Sequence, residues 1–164
     1  KVTYTPEDGN YATVTDIEVV IEVSQATPDY EVPQGLTATY GDTLADVELP
    51  ERFAFQDLAE TSVGNAGTNT FKVTYTPADI ENYNTVSDIE VTIEVAKAEP
   101  SYEIPTGLTA TYGDTLAKVT LPSGFTWEAE LTTSVGNVGT NTFTVTYTPT
   151  DTDNYATVTR KGVA

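Results

Sequence analysis

Cysteine, methionine and histidine are all missing from the 164 residues. Without thiols no disulfide can form, and neither a Cys–His nor a Ser–His nucleophile can be assembled. Zinc, haem and iron–sulfur centres lose their usual ligands with the same three residue types. Positive charge is scarce as well: 7 Lys and Arg stand against 25 Asp and Glu, a formal net charge of −18. A surface of that sign repels nucleic acid and anionic bilayers, so neither is expected as a partner. No apolar run approaches the ~20 residues of a membrane-spanning helix. No leader peptide is recognisable, but the chain opens inside a repeated motif, which reads as a piece cut from a longer array.

What is present argues for a folded acidic chain rather than a disordered tail. Hydrophobic residues make up 38% of the sequence, and they alternate with polar ones. One stretch organises the whole, Thr61-Ser-Val-Gly-Asn-Ala-Gly-Thr-Asn-Thr-Phe-Lys-Val-Thr-Tyr-Thr-Pro77, which recurs almost verbatim from Thr133 to Pro149. A clipped copy, Lys1-Val-Thr-Tyr-Thr-Pro6, opens the chain. An Asn-Tyr pair follows each copy, at 10–11, 82–83 and 154–155. Residues 30–87 and 102–159 align without a gap and share 38 of 58 positions, so the period is 72 residues. That period divides the chain into a spare hairpin (1–23), a complete unit (24–95) and a second unit (96–164) that lacks its last strand.

Within each unit the pattern is that of short strands. In Ile17, Val19, Ile21 and Val23 the apolar positions alternate with Glu18 and Glu22, and Asp88 to Val95 repeats this. Period two with one wet face predicts a half-buried antiparallel strand. The 24–33 and 96–105 stretches carry prolines and read as stiff linkers that become first edge strands. Leu36–Tyr40, Leu44–Pro50, Phe53–Phe55, Phe71–Tyr75 and Ile89–Val95 complete six or seven short strands, with no helical period between them. The expected fold is all-β, as tandem small Ig-like β-sandwich repeats.

The Thr-Ala-Thr-Tyr-Gly-Asp-Thr-Leu element at 37–44 and 109–116, followed by Gly-Asn-X-Gly-Thr-Asn-Thr-Phe and Val-Thr-Tyr-Thr-Pro, resembles tandem repeats of bacterial surface proteins, the Ig-like or MBG-type modules with a Tyr-Gly-X turn. The resemblance covers essentially the whole chain, although the unit is shorter than a ~100-residue immunoglobulin domain. It implies a stalk or adhesin shaft outside the cell, with neighbouring repeats as partners.

Candidate sites follow from what remains. Ten tyrosines and one tryptophan invite a sugar-stacking surface, but all the tyrosines recur with the repeat, which predicts framework packing. Asp79, Glu81, Asp151 and Asp153 cluster oxygen ligands of the kind Ca²⁺ takes, in turns that Asp and Asn also form without metal. Glu18/Glu22 and Glu90/Glu94 lie on a wet strand face, where they protect an edge rather than run glycoside hydrolysis. Lysines do not follow the repeat, against a Lys–Asn isopeptide bond: Lys72 becomes Thr144, and Lys118 replaces Asp46. The two units differ most at 46–60 against 118–132, so a ligand surface, if present, would use Arg52, Phe55 and Trp127.

These readings lead to a non-catalytic spacer with no cofactor. The rivals are a glycan- or protein-binding accessory module and a subunit that polymerises head to tail by lending residues 1–23 to another copy.

Overall fold

The computed structural model describes residues 1–163, with side chains through Thr159. Among the described residues the regular structure is nearly all β, and the only helical turns are two of 3-10 type. Strand β1 (Val2–Tyr4) pairs antiparallel with β2 (Val14–Ile17) as a two-stranded sheet. The expected strand through Val23 is observed only as far as Ile17, which pairs with Val2. Residues 18–23 are exposed and lie outside any strand.

In 24–95, β3 (Leu36–Thr39), β4 (Phe53–Phe55), β5 (Gly67–Tyr75) and β6 (Val86–Ala96) form one sheet in the order β3-β6-β5-β4. β6 is central, antiparallel to β5 and parallel to β3. Its alternation is the core: Ile89, Val91, Ile93 and Val95 are buried, while Glu90, Thr92 and Glu94 are exposed. Each such aliphatic side chain contributes about 1.5–3 kcal/mol on burial. Leu44, Val47 and Val63 cover this face of the sheet, joined by Leu36 and Val73.

Two expectations are corrected here. Leu44–Pro50 is not a strand but opens with a 3-10 turn, Leu44–Asp46. The same turn forms at Leu116–Lys118, where Lys118 replaces Asp46, and both share their backbone bonds: Leu44 N and Ala45 N donate to the Thr61 and Ala59 carbonyls at 2.9 Å, as Leu116 N and Ala117 N do to Thr133 and Leu131. In the first turn the backbone N–H and hydroxyl of Thr43 also donate to Asp46 Oδ2 at 2.9 Å. The 24–33 linker makes an isolated bridge, Ala26 to Tyr83, instead of an edge strand. Pro28 and Pro33 lack the N–H that a ladder needs. So this segment has four strands rather than six or seven, in a single sheet whose second layer is loop and 3-10 turn.

In 96–164, β7 (Phe125–Trp127), β8 (Phe143–Tyr147) and β9 (Val158–Val163) make a three-stranded sheet in that order. β9 stands where Val86–Val91 of β6 stand in 24–95, so the first part of the strand expected to be missing is present, pairing through its backbone despite the Arg-Lys-Gly sequence. Loop hydrogen bonds recur 72 residues apart: Leu44 N donates to Thr61 O at 2.9 Å, and Leu116 N to Thr133 O at 2.9 Å. What differs is the flank. Leu108–Thr111, which correspond to β3, belong to no strand.

Candidate functional site

A chain without His or Cys must build any site from carboxylates, amides, hydroxyls and rings. The acidic turns come first. Asn82 donates its backbone N–H to Asp79 Oδ1 at 3.1 Å and its side-chain amide to Oδ2 at 2.8 Å. Asn154 treats Asp151 identically, at 3.1 and 3.0 Å. These donors, the side-chain amide above all, hold both carboxyls below the ordinary carboxylate range. Both oxygens of each aspartate thus close a turn, and Glu81 and Asp153 are exposed beside it. Among the described residues, no three carboxylates gather as a metal cluster would require.

Only part of the aromatic set packs as framework: Tyr4, Tyr11, Tyr83 and Tyr112 are exposed, against the expectation for all the tyrosines. Tyr30 stacks on Tyr75 with centroids 5.4 Å apart, and Tyr102 on Tyr147 at 4.9 Å, pinning each linker to its own sheet. Phe55 is half-buried, edge-on to Phe71 at 6.2 Å. Trp127, equally half-buried, meets Phe143 at 5.8 Å and donates its indole N–H to the Val119 carbonyl at 3.4 Å. Arg52 is exposed and holds a left-handed φ of 74°. Phe55 and Trp127 lie in separate sheets, so Arg52, Phe55 and Trp127 do not assemble into one platform. Lys72 bonds Asp88 at 2.8 Å on the surface, with both side chains exposed.

The residues that the structure does bring together belong to the Asn-Tyr pair. Asn154 is buried, and its Oδ1 accepts the backbone N–H of Ala66 at 2.9 Å. Its own carbonyl accepts from Ala98 N at 3.0 Å, tying the linker into the same knot. Next to it, the ring of Tyr155 meets that of Tyr40 edge-on, 5.3 Å between centroids. Among the described residues, a hydrogen bond from the Ala66 backbone to the Asn154 side chain and a ring contact therefore join the two duplicated segments. Every group in the contact has an equivalent that is exposed elsewhere: Asn82 and Tyr83 at one end, Val138 and Tyr112 at the other. The sequence reading put the tyrosines of the Asn-Tyr pairs in the framework and the asparagines in acidic turns, and did not foresee a junction between the duplicated segments. The recurrence of the pairs in all three copies was the available signal.

Among the described residues, no helix is long and apolar enough to cross a membrane. No protein-family model matches the chain, and no similar curated protein or solved structure was found.

Proposed function

We propose that the chain is a non-catalytic structural spacer, a length of stalk in a bacterial surface or extracellular protein. The observation that carries this reading is the Asn154–Ala66 and Tyr40–Tyr155 contact, with its two unlike halves exposed again at opposite ends of the repeat. A contact between two different faces adds units head to tail rather than closing a symmetric pair. The period of 72 residues and the kinship to tandem Tyr-Gly-X repeats belong to the same proposal, supported by hydrogen bonds that recur at that spacing. One sign of charge keeps such shafts from bundling.

The test uses the absence of native cysteine. Spin labels on Glu51→Cys and Glu130→Cys, both exposed positions, report the distance between the two segments. A stiff spacer gives a narrow distribution that broadens in Asn154→Ala/Tyr155→Ala. A broad distribution in the parent chain overturns the proposal.

A further inference from the structure

Oxidation of this chain must fall on its rings. Cysteine and methionine, the side chains that oxidants usually consume first, are absent, and so is histidine, which leaves ten tyrosines and Trp127. Four of the tyrosines form two near-parallel stacks. Tyr30 lies on Tyr75 with centroids 5.4 Å and planes 28° apart, and Tyr102 lies on Tyr147 at 4.9 Å and 27°. The second stack repeats the first at the same positions of the 72-residue period. Phe53 and Phe125 pack against the strand member of each stack, at 5.0 and 4.9 Å, and have no phenolic hydrogen to give up.

Stacking of that kind suits radical coupling. A tyrosine that loses its phenolic proton and one electron becomes a radical whose spin lies in π orbitals on the oxygen and on the two ortho carbons beside it. Those orbitals stand perpendicular to the ring, so two rings held face to face direct them at each other. Tyr40 and Tyr155 are equally close, at 5.3 Å, but their planes are 81° apart and the orbitals cross. Ring angle, rather than distance, therefore singles out the two stacks. Both reach the surface: Tyr30 is 36% exposed, and Tyr75, Tyr102 and Tyr147 are half-buried.

We propose that Tyr30–Tyr75 and Tyr102–Tyr147 are modification sites, at which a one-electron oxidant, a peroxidase supplied with hydrogen peroxide, joins the stacked rings as dityrosine. Each ring gives one electron to the oxidant and its phenolic proton to water. Two electrons and two protons reduce one hydrogen peroxide to two waters. The new C–C bond forms between one ortho carbon of each ring. The hydrogens on those carbons then move through solvent to the phenol oxygens, so each link leaves the chain two hydrogens lighter. The bond ties Tyr30 of one linker to the end of β5, and Tyr102 of the other to the end of β8. A cross-link that closes a long loop restricts the unfolded chain and stabilises the fold, the part a disulfide plays where cysteine is present. This inference stands apart from the spacer reading.

Treating the 164-residue chain with peroxidase and hydrogen peroxide at low micromolar concentration tests it. The expected product is a 17.6 kDa monomer with dityrosine fluorescence, lighter by two hydrogens per link, whose digest contains peptides joined at 30–75 and 102–147. Its thermal midpoint is expected to rise by about 5–15 °C. Tyr30→Phe/Tyr102→Phe keeps both rings but removes one phenol from each stack, and is expected to abolish the intramolecular links. Either single variant should halve the yield. Tyr40→Phe is expected to leave it unchanged, as is Tyr4→Phe/Tyr11→Phe/Tyr83→Phe/Tyr112→Phe, which alters only exposed rings. Dityrosine that persists in Y30F/Y102F overturns the proposal, as do links found only between molecules or oxidation confined to Trp127. Failure of the spacer reading would show separately, as a broad distance distribution in the unoxidised chain.

Discussion

Asn154 Oδ1 lies 2.9 Å from the backbone nitrogen of Ala66, 88 residues away in sequence. The same amide holds Asp151 through its nitrogen, so one side chain closes a turn and a junction together. Replacing Asn154 with Ala leaves the part-buried Ala66 N–H without its acceptor, at a cost of about 1–3 kcal/mol. The exposed equivalent, Asn82→Ala, loses only its turn bonds, about 0.5–1.5 kcal/mol. Urea unfolding of the two variants should rank them in that order. Equal losses would mean that the junction adds nothing.

The aspartates of these turns set an acid limit. Asp79 and Asp151 titrate below their ordinary value of 3.8 because asparagine amide and backbone N–H groups favour the charged form. A depressed folded pKa contributes stability above the unfolded value and loses it as pH falls through the folded one. From neutral pH to about 5, loss of net negative charge should instead relieve repulsion and hold or raise Tm. Below about 4 the Tm of the parent is expected to fall, and less steeply in Asp79→Asn/Asp151→Asn. Parallel curves for the two proteins would rule the turns out as the cause.

Arg52 and Gly124 occupy the same repeat position with φ of 74° and 85°. An L side chain is strained there by roughly 1–2 kcal/mol, partly offset by the larger chain entropy that glycine loses. Arg52→Gly should therefore raise stability by about 0.5 kcal/mol. The reverse change is worse than strain alone, since a Cβ at Gly124 would stand 2.8 Å from Tyr147 Cε2 and 3.1 Å from the Thr148 carbonyl. Gly124→Ala is expected to cost about 1–3 kcal/mol, read by chemical denaturation.

Ile93 and Ile21 sit in nearly identical sequence but in opposite environments, one fully buried and the other 77% exposed. Ile93→Ala should destabilise the 24–95 sheet by about 2–5 kcal/mol. Ile21→Ala should leave the thermal midpoint of the dilute monomer within error. A comparable loss for both would mean that 18–23 is packed in the monomer.

Sequence alone determined the all-β character, because period-two alternation in Asp88–Val95 and glycine-marked turns leave no helical alternative. It also located the turns at 79–82 and 151–154 and the framework role of Tyr75 and Tyr147. The strand count was overestimated at Leu44–Pro50, where backbone bonds from Leu44 and Ala45 to the Thr61 and Ala59 carbonyls hold a 3-10 turn in place of the strand that the apolar spacing predicts. Only the tertiary structure decided the strand order, with β6 between β3 and β5, so that pairing on both flanks buries Ile89, Val91, Ile93 and Val95. It likewise turned the Asn-Tyr pair from a turn signal into a junction, since the Ala66 N–H that Asn154 accepts comes from the other duplicated segment.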